Sequence, residues 1–589
     1  MPTDATLDIL RTTFGFPAFR GVQADVIARV MAGQRTAAIM PTGAGKSLCY
    51  QLPAVALPGT CIVISPLIAL MHDQLRAAEA VGIRAATLTS ADENRAETVE
   101  RFRAGDLDLL YAAPERASQD SFRGLLREAK LCLFAIDEAH CVSEWGHDFR
   151  PDYRLLRPML DDFAGVPRLA LTATADAHTR DDICDQLGIP LEGLIVAGFD
   201  RPNIRYHMAP RAGTANQVAD VVVAHPGPGI VYVQSRMGTE KLAAQLASTG
   251  RAVRAYHAGM EPDVRRKNQA DFVNSEDMVM VATIAFGMGI DKPDVRFVAH
   301  AGLPKSIEAY YQETGRAGRD GDPAGAYLFW GADDFAKARQ RLSEVEESRV
   351  AGEKARLKAL GALVETPGCR RAILLRHFGD PAPENCGNCD NCLNPPTGQV
   401  DATEIARKFL SAVYRTGQSF GVTHLEDVLT GTANERALKL GHDRLSVFGI
   451  VEGEDAAMIK PVARALLLRG ALETNEHGGL MFGPDARAIL KGETSVDLIL
   501  PPKRERRSKR AGGMPNPVGD PLFEALREIR RTLASEAGLP PYVIFHDSTL
   551  REMATARPVT KAELGRISGM GARKLEAYGD AFLSVIKAH

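Results

Sequence analysis

Two stretches of this sequence place phosphate-handling residues at fixed spacing. In AAIMPTGAGKSLCYQ (37–51) a Gly-rich loop follows an apolar run and precedes a helix-like segment. In that context backbone N–H groups and a helix N-terminus face an anion, so Thr42, Gly43, Gly45, Lys46 and Ser47 read as a phosphate cradle. Lys46 suits the β- and γ-phosphates, and the Ser47 hydroxyl suits Mg²⁺. The strict pattern asks for Gly at position 40, where Met stands. In FAIDEAHC (134–141) two carboxylates end an apolar run: Asp137 is suited to Mg²⁺, and Glu138 to polarising an attacking water. TAT (172–174) ends another such run and offers hydroxyls as a link from the nucleotide to the rest of the lobe.

Further chemistry lies elsewhere in the chain. YYQETGRAGRDG (310–321) sets Arg316 and Arg319 one helical turn apart. They are candidates for an arginine finger acting across an interface, an effect worth roughly 10³–10⁵ in rate. VATIAFGMGID (281–291) ends a strand-like run in a Gly-rich turn suited to sensing closure between lobes. CGNCDNC (386–392) supplies Cys386, Cys389 and Cys392, one thiolate short of a closed zinc shell, with Cys369 and His377 as rival fourth ligands. The run lacks the Cys-Pro that follows in the ferredoxin pattern. Near the N-terminus, FGFPAFRGVQ (14–23) offers Phe16 or Arg20 for stacking on a base and Gln23 for an adenine edge.

These residues need a scaffold of several units. A chain of 589 residues exceeds one core and predicts about three to five domains. The runs at 61–66, 107–115, 131–138 and 168–174 read as buried parallel strands, and so do those at 229–235, 254–259, 278–283, 296–302 and 325–330. FDRPNIRY (199–206) lies between the two series and reads as a linker. The fold class is therefore α/β, with two lobes of similar size followed by helical units. A net charge of −3 gives no global basicity, so any nucleic-acid surface must be local. No run approaches the ~20 apolar residues of a membrane span. Of nine cysteines, five are scattered singly, which suits a reducing compartment and a cytoplasmic protein. The absence of heptads makes a monomer the expectation.

PTGAGKS, DEAH, TAT and QETGRAGRDG, in that order, resemble a superfamily 2 helicase with two RecA-like lobes. CVSEWGHDFRPDYRLL (141–156) narrows this, because it resembles the aromatic-rich loop of the RecQ family of DNA helicases, and FGFPAFRGVQ resembles that family's adenine-recognition motif. Two departures are Glu144, where the family usually has Gln, and a missing proline after Arg20. The resemblance implies that Trp145, His147, Phe149 and Arg150 couple single-stranded DNA to ATP hydrolysis, and that Cys369 is the fourth zinc ligand. Exposed aromatics stack on bases at ~1–3 kcal/mol each. It further implies lobes at 1–200 and 201–335, a zinc platform at 336–395 and a winged-helix domain at 396–495. A basic linker at 496–518 and a small helical bundle, the HRDC domain, at 519–589 complete the order. MIKPVARALLLRGALETNEHGGLMFGP reads as a helix and then a hairpin whose turn is HGGL, with Gly-Gly as a two-residue loop and His477 near its tip, a candidate strand-separating element. Tyr542, Arg573 and Lys574 are candidate DNA contacts in the bundle, and Lys503–Arg510 a candidate phosphate-binding tether. The implied cofactors are ATP, Mg²⁺ and Zn²⁺. The implied partners are single-stranded and duplex DNA and a single-stranded DNA-binding protein. The implied setting is DNA repair, recombination and replication in a bacterial, nucleoid-associated protein moving 3′ to 5′. An RNA helicase sharing DEAH, and a DNA-binding ATP switch without unwinding, are the rival classes.

Overall fold

The short apolar runs of the first half become strands covered on both faces. The computed structural model describes residues 4–589 except 67, 90, 91, 93, 144–148, 287–291, 343, 344, 346, 397, 476–478 and 500–519. Lobe 1 contributes β1 (Thr36–Ile39), β2 (Thr60–Ile64), β3 (Ala85–Leu88), β4 (Leu109–Ala112), β5 (Leu131–Ile136), β6 (Arg168–Thr172) and β7 (Leu194–Val196). Among the described residues they form one parallel sheet in the order β3-β4-β2-β5-β6-β1-β7. Parallel neighbours need helical crossovers, so the strands are buried and read as continuous apolar runs. β5, β6 and β1 are adjacent, which brings the segments after them together at one edge, where ligands bind in such sheets.

Lobe 2 repeats the plan with β8 (Ile204–Pro210), β9 (Gly229–Tyr232), β10 (Val253–Tyr256), β11 (Val279–Ala282), β12 (Phe297–His300) and β13 (Ala324–Trp330). They form a second parallel sheet in the order β10-β11-β9-β12-β13-β8. Each of the nine expected strand runs contains a strand. FDRPNIRY, however, is no passive linker: Ile204 begins the edge strand β8, which pairs with β13 along its whole length, and Phe199 and Arg201 are buried. An edge strand buries only alternate residues, so β8 lacks the continuous apolar run that marks its neighbours.

Beyond lobe 2, the apolar faces of the helix Glu347–Glu365 and the helix Arg370–His377 join the core that runs beneath both sheets; Cys369 caps the start of the second helix, and the other three clustered cysteines follow it, around the short helix Asp390–Leu393. A separate core then forms around the helices Thr403–Arg415, Val422–Leu429 and Ile459–Arg469. It is closed by β14 (Gln399–Asp401) paired with β17 (Asp497–Ile499), and flanked by the hairpin β15 (Leu472–Thr474) and β16 (Leu480–Phe482). The pairing of β14 with β17 carries this unit past residue 495. The last unit is a helical bundle with its own core, framed by the helices Pro521–Ala537, Asp547–Ala556 and Ala572–Ala588. No helix among the described residues is long and apolar enough to cross a membrane.

Candidate active site

The segments after β1, β5 and β6 meet as their order requires. Gly43 and Gly45 both have positive φ, +85° and +74°, which lets the loop fold back over the start of the helix Leu48–Ala56. Lys46 Nζ donates to Met40 O at 3.3 Å, across the mouth of the loop. Gln23, expected at an adenine edge, braces the loop: its Nε2 donates to Ala44 O and Gly45 O at 2.9 and 3.3 Å, and its Oε1 accepts from Arg20 N. The Arg20 guanidinium lies over the Phe16 ring at 5.8 Å, so the three residues form one ledge beside the loop.

Asp137 is buried, and its carboxylate accepts from Glu138 N at 3.0 Å and from Gln74 Nε2 at 3.4 Å. Burial and the adjoining Glu138 push its carboxyl up to about 6 against the pull of Lys46, which is the electrostatic setting a bound dication would reverse. Glu138 adopts a left-handed backbone, φ 48°, rare for a non-glycine residue and costly by about 1–3 kcal/mol. Tyr153, donating to Asp137 O at 2.9 Å, helps hold that turn. His140, which sequence reasoning left unassigned inside DEAH, joins two motifs: its Nδ1 lies 3.3 Å from Glu138 Oε2 and 2.8 Å from Thr172 Oγ1. Thr172 Oγ1 in turn accepts from Thr174 N, so TAT is wired to the carboxylates through a histidine.

Lobe 2 reaches this site through the turn after the helix Ile307–Thr314. A Cβ at Gly315 would sit 3.2 Å from Thr42 Cβ, and one at Gly43 would sit 3.3 Å from Arg319 Cγ. Arg319 is thus set against the phosphate loop, and Arg316 is buried beside Tyr232 at the end of β9. In the aromatic-rich tract, Arg150 N donates to Cys141 O and closes the loop at its base, while Arg150 Nη1 donates to Pro66 O after β2. Phe149 lies under the Arg154 guanidinium at 5.3 Å. Trp145, His147 and Glu144 lie outside the described residues, as does the end of VATIAFGMGID.

The fourth thiolate is Cys369. Its Sγ and those of Cys386, Cys389 and Cys392 all lie within 4.8 Å of one another. Cys386 and Cys392 are 3.9 Å apart, where tetrahedral Zn–S bonds of about 2.3 Å set sulfurs roughly 3.8 Å apart. Cys369 Sγ accepts from Ala372 N and Cys386 Sγ from Asn388 N, as thiolates do. His377, the rival ligand, is instead hydrogen-bonded to Glu308. Between the ligands, Asp390 accepts from Met208 N on β8 and from Arg370, so the cluster is stitched to lobe 2.

Family descriptions match the chain in the order of these units. DEAD/DEAH box helicase covers 20–183, helicase conserved C-terminal domain 214–321, RecQ zinc-binding 332–393, RQC domain 396–507 and HRDC domain 520–586. The chain is 41% identical to the ATP-dependent DNA helicase RecQ of Haemophilus influenzae, across 99% of this chain and 96% of that protein. It is 38% identical to the protein of that name from Bacillus subtilis, across 99% of this chain and 98% of that one. The chain belongs to the RecQ family.

Zinc is accordingly the metal that this RecQ-family cluster fits, with all four ligands thiolate and no open position for catalysis. In the RQC domain, Asn475 N donates to Gly479 O at 2.9 Å, so three residues and not two separate the closing pair of the hairpin. His477 is among those three, outside the described residues, and so is the basic tract Lys503–Arg510. The HRDC bundle docks on both lobes, which changes the standing of its candidate DNA contacts. Lys574 is spent on Val543 O and Ile544 O at 2.7 and 2.9 Å, and burial brings its ammonium down to about 8. Arg573 donates to Glu79 O of lobe 1, and the Tyr542 ring lies 5.6 Å from Lys292 Nζ of lobe 2. Further anchors among the described residues include Gly569 N to Gly15 O on lobe 1, and Arg551 to Asp322 and three arginines to Glu276 on lobe 2.

Proposed function

We propose that this chain is an ATP-dependent DNA helicase that converts ATP hydrolysis into movement along single-stranded DNA and duplex unwinding, in DNA repair and recombination. The observation that carries it is the apposition of the Arg319 turn of lobe 2 to the phosphate loop of lobe 1, in a chain whose relatives are ATP-dependent DNA helicases. Thr42, Gly43, Gly45 and Lys46 hold the phosphates, with Phe16, Arg20 and Gln23 as the base-side ledge. Ser47 and Asp137 would hold Mg²⁺, which supplies charge neutralisation at the phosphates. Glu138 orients the attacking water and takes its proton; its strained turn fixes the carboxylate, and His140 relays its position to Thr172. Arg316 and Arg319 offset charge that develops as the terminal phosphate departs.

Phe149 and Arg150, with Trp145 and His147, form the DNA-coupling loop in this reading. Its support is the bond from Arg150 to Pro66, which ties the loop base to the strand ends of lobe 1. Cys369, Cys386, Cys389 and Cys392 bind structural zinc. Movement is 3′ to 5′, His477 lies at the separating wing, and the working form is a cytoplasmic, nucleoid-associated monomer. A single-stranded DNA-binding protein is the partner in this reading; an open groove of about 820 Å³ on the RQC domain, lined by Tyr414, Arg415, Phe482 and Arg487 among others, has a mixed cationic and apolar lining. The test is ATP-dependent strand displacement on DNA duplexes with a 3′ or 5′ tail and on an RNA duplex. Displacement of 3′-tailed DNA alone, abolished by Glu138→Gln, is expected. Displacement of RNA, or ATP turnover with no displacement, refutes the reading.

A further inference from the structure

The segment between the lobes holds a buried arginine that the chemistry above does not use. Arg201 is 9% exposed, and its guanidinium donates to four main-chain carbonyls. Nη1 reaches Thr42 O at 2.7 Å and Gly315 O at 3.1 Å; Nη2 reaches Ala317 O and Gly318 O, each at 3.0 Å. Thr42 belongs to the phosphate loop of lobe 1. The other three acceptors belong to the lobe 2 turn that carries Arg316 and Arg319. We infer that Arg201 is a positioning residue for ATP hydrolysis, holding the arginine-bearing turn in register with the phosphate loop.

The argument is geometric. A guanidinium is a planar fork whose donors point in fixed directions, so four acceptors on two bodies can all be satisfied only at one separation and one angle. Three of the four acceptors lie on lobe 2, and Thr42 alone lies on lobe 1. When the lobes part, Arg201 stays with the turn and gives up only the Thr42 bond. That bond is therefore made on closure and broken on opening, at the moment when Arg319 comes against Gly43. The surroundings keep the fork in place. Asn203 Nδ2 donates to Gly318 O and Asp322 O at 2.8 and 2.9 Å, fixing the far side of the same turn. Phe199 stacks on Phe378 of the zinc-bearing unit with ring centres 4.6 Å apart, and its carbonyl accepts from Tyr311 at 2.6 Å. The Nη bonds of Arg201 go to main-chain carbonyls, and it acts through Arg316 and Arg319.

The inference rests on the ATPase reading, and the test separates the two. DNA-stimulated ATP turnover is measured on the full chain as it stands and as Arg201→Lys, Arg201→Gln, Arg319→Ala and Arg201→Lys/Arg319→Ala. A lysine keeps the charge but cannot span both bodies. Arg201→Lys is expected to lower kcat by roughly 10- to 100-fold, the cost of a misplaced catalytic group, while KM for MgATP changes less than about twofold. The double variant is expected within about threefold of Arg319→Ala alone, because residues acting as one unit are not additive. Multiplying losses in the double variant, a change confined to KM, or Arg201→Lys and Arg201→Gln both failing to fold overturns the inference. No turnover by the unaltered chain overturns the functional reading, and the inference with it.

Discussion

Glu276 offers the most quantitative perturbation in the molecule. Its carboxylate, just beyond the lobe 2 helix Pro262–Asn274, receives Arg527 and Arg530 at 2.7 Å and Arg531 at 2.9 Å from the HRDC bundle. Burial alone would raise that carboxyl, yet the three guanidinium groups overturn this and hold it at about 2. Against an ordinary carboxyl near 4.5, that difference corresponds to roughly 3 kcal/mol of attraction. Arg531 is half exposed, so solvent screening reduces the usable part to about 2 kcal/mol. Glu276→Gln removes the charge and keeps the shape, so the docked-to-undocked ratio should fall by roughly 30-fold at low salt. Small-angle scattering reads the result as a larger radius of gyration, and hydrogen exchange as lost protection on the helix Pro521–Ala537. The sign in pH follows from the depressed value: the attraction is complete above about 4.5 and is lost as pH falls towards 2, so salt, not neutral pH, is the useful variable. If Glu276→Gln and the unaltered chain scatter identically from low to high salt, the three ion pairs do not hold the bundle and the reasoning fails.

Three further outcomes can be checked. Gly43→Ala places a side chain at φ +85° and 3.3 Å from Arg319, and should cut ATP turnover by at least about tenfold with the melting temperature nearly unchanged. Cys389→Ser should abolish stoichiometric zinc by elemental analysis and, because Asp390 beside it binds Met208, raise hydrogen exchange along β8. His140→Ala breaks the path from Glu138 to Thr172. ATP turnover should fall by about tenfold, and strand displacement per ATP consumed should fall further, which a coupled assay on tailed DNA resolves.

The parts of this chain that sequence alone discloses are those where local chemistry repeats a pattern. The phosphate loop follows an apolar strand, the paired carboxylates end another, and the cysteines sit two residues apart. Each needs only its neighbours in sequence to be recognised. What sequence hid is carried by main-chain acceptors and by edges. Arg201 looked like part of a linker because its partners are carbonyls, which any residue type can supply. β8 escaped because an edge strand alternates buried and half-buried residues. Gln23 and Lys574 carried plausible side chains, but burial and local acceptors determined what those side chains do. Docking of the bundle depends on an acidic residue and three arginines some 250 positions apart, a separation no local pattern bridges.

The two sets of bundle contacts differ in strength, and this has a mechanical consequence. On lobe 2 the bundle is held by ion pairs at Glu276 and Asp322; on lobe 1 by single hydrogen bonds to the carbonyls of Gly15 and Glu79. Under load from an opening cleft, the weaker grip slips first. In a cleft that opens, the bundle would travel with lobe 2 and uncover the loop beside Phe16. The timing of that exposure would be geared to the cleft and not to diffusion of the bundle.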